Sequence, residues 1–113
     1  MNASHVTTHI LDTSSGRPAA NVQVELLVQR DNGWSSIAGG TTDSDGRIRD
    51  LGPRQLDTGV YRLSFATGAY FARHNTPTFF PEVALTFEIA DADQHYHVPL
   101  LLSPFAYSTY RGS

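Results

Sequence analysis

The stretch "VQVELLVQ", residues 22–29, alternates with a period of two. Val22, Val24, Leu26 and Val28 fall on one side of an extended chain, and Gln23, Glu25 and Gln29 on the other. Successive strand side chains point to opposite faces, so this is a strand with one dry face and one wet face, the antiparallel pattern. "VYRLSF" (60–65) repeats it, with Tyr61, Leu63 and Phe65 against Arg62 and Ser64, as does "LTFEIA" (85–90), with Leu85, Phe87 and Ile89 against Thr86 and Glu88. "VTTHILD" (6–12) reads as a first strand with His9 facing opposite Ile10. Turn signals punctuate these runs at Ser15-Gly16, Asn32-Gly33, Asp45-Gly46, Gly52-Pro53 and Gly68. A short helix or turn is expected only around "TFFPEVAL" (78–85). The reading is an all-β chain of one domain, residues 1–113, folded as a two-sheet antiparallel sandwich.

Bulk properties bound the function. The chain has 113 residues, 40% of them apolar and 17% charged, enough for one core. A net charge of −3 argues against a nucleic-acid partner, because polyanion binders carry a basic surplus. All eight basic residues are arginines, which removes lysine nucleophiles and Schiff bases. The absence of cysteine removes disulfides, thiolate chemistry and cysteine-based zinc sites. "MNASHVTTHILD" lacks the basic and apolar regions of a secretory signal, and no apolar run is long enough to span a membrane. The expectation is a cytoplasmic protein without a membrane partner.

The stretch "HYHVPLLLSPFAYSTYRGS" (95–113) is unusual for a chain end, which is ordinarily polar and loose. On a strand His95 and His97 share a face, with Tyr96 and Val98 on the other. Pro99 has no N–H to donate, which points to an edge strand or a bulge. "LLLS" reads as buried, Ser103-Pro104 as a turn and "YSTYRG" as a last strand on which Ser108 and Tyr110 share a face. An apolar strand pair here suggests a surface covered by another subunit.

Taken one at a time, the polar candidates are ordinary. His9 alone reads as a surface or packed histidine, and Arg47, after the Asp45-Gly46 turn, as a solvated turn residue. "DSDG" (43–46) resembles part of a calcium loop but lacks the third acidic ligand and the bidentate glutamate, so it reads as a turn. His95 and His97 would need a third ligand such as His9 to hold a metal, and the reading is that no metal is bound. Ser103, Ser108 and Ser113 lie near histidines, but no G-x-S-x-G elbow occurs.

Taken together, the motifs resemble one family. The ending from His95 to Ser113, above all Tyr110-Arg111-Gly112-Ser113, closely resembles that of the 5-hydroxyisourate hydrolases, or transthyretin-related proteins. "HILDTSSGRPAANVQVEL" (9–26), "TTDSDGRI" (41–48) and "FFPEV" (79–83) look like further signatures of that family, in order and without large gaps. The resemblance implies a transthyretin-like sandwich of about eight strands, a homotetramer with sites in a channel between dimers, and no metal or cofactor. It implies hydrolytic opening of the six-membered ring of 5-hydroxyisourate to 2-oxo-4-hydroxy-4-carboxy-5-ureidoimidazoline, a step of urate degradation. Carried over residue by residue, it implies functional positions at His9, Arg47, His97 and the segment Tyr110 to Ser113.

The chemistry of these side chains fits. Water attacking a ring carbonyl needs a base near neutral pH, which histidine supplies, and the developing oxyanion needs a fixed cation, which arginine supplies. The reading gives His9 and His97 the proton transfers and Arg47 the substrate and oxyanion. Tyr110 and Ser113 line the channel floor, with hydroxyl or terminal carboxylate contacts to substrate or histidines. The sequence leaves open which histidine is the base, and His95 is placed at the rim. Two rivals remain: a transthyretin-like carrier without catalysis, and a metal-dependent hydrolase using His9, His95 and His97.

Overall fold

The computed structural model describes residues 3–113, so the first two residues of the N-terminal stretch and of the expected domain lie outside it. Nine strands and one helix follow in order. They are β1 (Val6–Asp12), β2 (Arg17–Pro18), β3 (Gln23–Arg30), β4 (Gly33–Thr41), β5 (Arg47–Ile48), β6 (Gly59–Phe65), α1 (Thr67–Arg73), β7 (Val83–Ile89), β8 (Tyr96–Leu102) and β9 (Tyr107–Thr109). One sheet has the order β2-β1-β8-β9, with β5 also paired to β1, and the other β4-β3-β6-β7.

The alternation in the sequence is the alternation in the fold. Val22, Val24, Leu26 and Val28 are buried, as are Tyr61, Leu63 and Phe65, and they meet Ile10, Val98, Leu100 and Leu102 of the facing sheet in one apolar core. Among the described residues no buried side-chain nitrogen or oxygen lacks a hydrogen-bond partner. Leu63 is fully buried, and truncating such a residue to alanine costs about 2–5 kcal/mol. That is a large share of the roughly 5–15 kcal/mol that holds a domain folded.

Four local expectations need correction. The helix is not at Pro81 but at Thr67–Arg73. Thr67, Tyr70 and Phe71 form its buried stripe at helical spacing, too short a run to stand out in the sequence. Gly68, read as a turn signal, opens this helix, its N–H bonded to the Pro81 carbonyl at 2.8 Å. The Asn32-Gly33 signal does mark the β3–β4 hairpin, where Asp31 takes a left-handed φ of 54°.

The last two corrections concern the sheet carrying β8. Its β1–β8 pair is parallel within an otherwise antiparallel sandwich. And β8 lies inside the sheet despite Pro99, with β1 on one side and β9 on the other. Pairing with β9 covers Leu100 to Leu102, lapses at Pro99, and resumes as a bridge between His97 and Gly112. The Thr109 hydroxyl donates to the Pro99 carbonyl at 2.7 Å and fills part of that gap. The proline is therefore accommodated by an interruption in the ladder, not by an edge.

Candidate functional site

Three elements bring the site residues onto the outer face of the β2-β1-β8-β9 sheet. On β1, Thr7 and His9 alternate with the buried Val6, Thr8 and Ile10, so both point away from the core. On β8, His97 stands beside Thr7 in the parallel register, and on β5 Arg47 stands beside His9 in the antiparallel one. The β5 strand is only two residues long, and a turn sets its place. Asp43 accepts backbone N–H groups from Asp45 (2.9 Å) and Arg47 (3.0 Å) on one carboxylate oxygen, which is what "DSDG" does here. Gly46 closes that turn at φ +75°, where a Cβ would lie 2.4 Å from the Ile10 carbonyl oxygen. Only glycine fits between the turn and β1, so it holds Arg47 against His9.

The closing segment reaches the same face. Gly112 donates to the His97 carbonyl at 2.8 Å and lies flat against the His97 ring, with room for no Cβ: one would sit 2.6 Å from Cδ2. Arg111 anchors the segment, its guanidinium 4.3 Å from the Tyr96 ring centre and 3.0 Å from the Gln94 side-chain oxygen. Ser113 then lines a hollow of about 260 Å³ together with Thr7, Arg47, Arg49, His95 and His97.

Electrostatics give these histidines a common character. His97 is held below the usual imidazole range by burial first, then by the positive charge of Arg47 and by His9 and His95. His9 is lowered for the same leading reasons, burial and then Arg47, against the opposing pull of a backbone hydrogen bond to Asp45 and the charges of Asp43 and Asp45. Both are therefore neutral near pH 7, the state able to take a proton.

Of the residues expected from the sequence, His9, Arg47, His97 and Ser113 come to one face. Tyr110 does not reach the hollow within this chain. It is 59% exposed and lines a separate cavity of about 300 Å³ with Leu85, Phe87, Tyr96, Val98 and Arg111. His95 lies at the exposed rim, one residue ahead of β8. The sequence reading missed Thr7, whose hydroxyl meets His97 Nδ1 at 2.8 Å and His95 Nε2 at 2.9 Å. Its only signal was its place two residues before His9. Arg49 in the hollow was also missed. Among the described residues no three metal-ligating side chains are grouped to share one ion.

Comparison with known proteins places this arrangement. The model of the HIUase/Transthyretin family matches residues 6–112. A 5-hydroxyisourate hydrolase of Salmonella typhimurium is 50% identical over 109 residues, covering 96% of this chain and 80% of the relative. The structure of Klebsiella pneumoniae 5-hydroxyisourate hydrolase superposes with a TM-score of 0.84 at 40% identity, covering 96% of this chain and 98% of that one. Sea bream transthyretin in complex with thyroxine superposes with 0.88 at 35% identity, covering 95% and 93%. Backbone likeness thus extends to a hydrolase and a thyroxine-binding protein alike, and the choice between them falls to the side chains.

Proposed function

Because the chain belongs to the HIUase/Transthyretin family, we propose that it acts as its hydrolase members do. It is a hydrolase that opens the six-membered ring of 5-hydroxyisourate in urate degradation. One observation carries the reading at the site: two neutral histidines and an arginine in register on one sheet face. A channel for a hydrophobic ligand has no use for that set.

The proposed mechanism assigns each group a step. Arg47 binds the oxygen-rich anion and stabilises the oxyanion that forms when water adds to the ring carbonyl. His9, beside Arg47 and lowered in pKa by burial and by that arginine, is the base that accepts the water's proton. His97 donates a proton to the departing ring nitrogen as the carbon–nitrogen bond breaks. Ser113, beside His97, and Tyr110 contact substrate. The position of Tyr110 outside the hollow of its own chain is compatible with service to a site shared between subunits.

We also propose a homotetramer of one-domain chains (1–113), working in the cytoplasm. Its support is the set of large apolar side chains left bare on the single chain, Phe79 (71% exposed), Phe105 (67%) and Tyr110, which a subunit contact would cover. Native mass spectrometry should give about four times the 12.4 kDa chain mass. No helix among the described residues is long and apolar enough to cross a membrane.

The deciding experiment generates 5-hydroxyisourate in place with urate oxidase and follows its ultraviolet decay. Decay faster than the spontaneous rate, and unchanged by EDTA, is the expected result. Loss of activity with EDTA would favour the metal-dependent rival. No acceleration by folded protein would overturn the hydrolase reading and leave the carrier.

A further inference from the structure

The Thr7 hydroxyl touches two imidazoles and, among the described residues, nothing else. It has one proton to give. With lone pairs to accept and one O–H to donate, it takes an N–H from one ring and gives its own proton to the other. The two rings are therefore coupled: where His97 Nδ1 is bare, His95 Nε2 carries the proton, and the reverse. His97 is half-buried against Gly112, whereas His95 is exposed.

We infer that His95 and Thr7 form a proton wire to His97, with His95 the positioning residue that fixes the His97 tautomer and refills it from solvent. The inference rests on the hydrolase reading, in which His97 donates to the leaving nitrogen. As the Nε2 proton of His97 leaves, the Thr7 proton moves to His97 Nδ1. The His95 Nε2 proton replaces it on Thr7, and solvent delivers one proton to His95 Nδ1, matched by the proton that His9 took from the attacking water and returns to solvent. No ring becomes an imidazolate and the proton count closes.

The surroundings favour a wire over a stored charge. The charged and titratable groups facing His97 are His9 on β1, Arg47 on β5 and Arg49 just beyond it; those around His95 are His5, Arg54, Asp93 and Arg111, whose guanidinium lies 3.4 Å from the His95 carbonyl. With Arg47 and Arg49 beside it, a proton parked on His97 is disfavoured, as the lowering of its pKa by burial and Arg47 also indicates.

The test compares the wild type with Thr7→Val, Thr7→Ser and His95→Gln, each checked by circular dichroism. Expected for Thr7→Val and His95→Gln is a fall in kcat of about 10- to 100-fold with KM little changed, the lower part of what acid–base catalysis supplies. Thr7→Ser should regain most of the rate, and added imidazole should partly rescue the exposed His95 site. Independently of activity, 15N NMR of His97 should show one dominant tautomer in the wild type and a mixture in Thr7→Val. Wild-type kcat and pH profile in both variants, or a His97 tautomer indifferent to Thr7→Val, would overturn the wire. Loss of the hydrolase reading shows instead as an inactive wild type, and the NMR arm then still decides the Thr7 coupling.

Discussion

The two sheets each turn one face outward, and the faces differ in kind. On β3, β6 and β7 the outward residues are Gln23, Glu25, Arg62, Ser64, Thr86 and Glu88, paired loosely in solvent. Arg62 lies 4.1 Å over the Trp34 ring and bonds Thr86 at 3.2 Å, and Ser64 donates to Glu82. On β1 and β8 the outward residues are Thr7, His9 and His97, partly withdrawn from water and held in fixed hydrogen bonds. The larger hollow, about 660 Å³, lies over the first of these faces, bounded by Glu25, Ser64, Pro81 and Glu82. Size does not choose the site. The larger hollow offers carboxylates to an anionic substrate and neither a histidine nor a cation in its lining, whereas the smaller hollow offers both.

The sharpest way to break this comparison is to remove the histidines. His9→Asn and His97→Asn should each lower kcat by about 10²–10⁴, the contribution of a general acid or base, with circular dichroism unchanged. Equal activity in either variant would move the chemistry off this face. Arg47→Met should follow, with a loss of about 10²–10³ for a removed oxyanion donor. It should also raise the pKa of both histidines, because Arg47 is the second cause of their lowering, while burial, the first, remains. The sign is definite. A base must be neutral to work, so the acid limb of kcat/KM in the wild type should fall below about pH 6.5, the ordinary imidazole value, and should move upward in Arg47→Met. An acid limb above pH 6.5 in the wild type would contradict the observed environment.

The same contrast explains what was legible in the sequence. Strands such as 22–29 and 60–65 were readable because one wet face forces strict alternation, and burial follows it residue by residue. The helix at Thr67–Arg73 was not, because its three buried residues are fewer than a periodic signal needs and Gly68 reads as a break. Pro99 misled for a related reason: pattern shows that an N–H is missing, but not that Thr109 would fill the gap. At the site, His9, Arg47, His97 and Ser113 were named through the resemblance rather than through spacing, since no local rule brings residues 9, 47 and 97 together. Thr7 escaped because a threonine on a strand is ordinary until its partners, 88 and 90 residues away, are known.

Gly112 tests how finely the site face is built. Gly112→Ala places a methyl 2.6 Å from His97 Cδ2, so ring or closing segment must move. A displacement of that order at a reacting group costs up to about 100-fold, so a loss of about 10- to 100-fold in kcat is expected with the fold retained. The fall should be smaller than for His97→Asn, because the imidazole is misplaced rather than absent. A wild-type rate would mean that the closing segment yields without disturbing His97, and the proposed contact of Ser113 with substrate would lose its support.

The smallest effect belongs to the opposite face. Glu82→Gln removes the carboxylate that accepts from Ser64 beside the larger hollow. Glu82 is exposed, and a solvent-screened surface contact contributes little, so stability should change by no more than about 0.5 kcal/mol. The rate of 5-hydroxyisourate decay should stay within about twofold of the wild type, because no step draws on that face. A drop of tenfold or more, with the melting temperature unmoved, would show that the larger hollow takes part in turnover. The division of labour between the two sheets would then have to be drawn differently, with the acidic face serving substrate entry or product release.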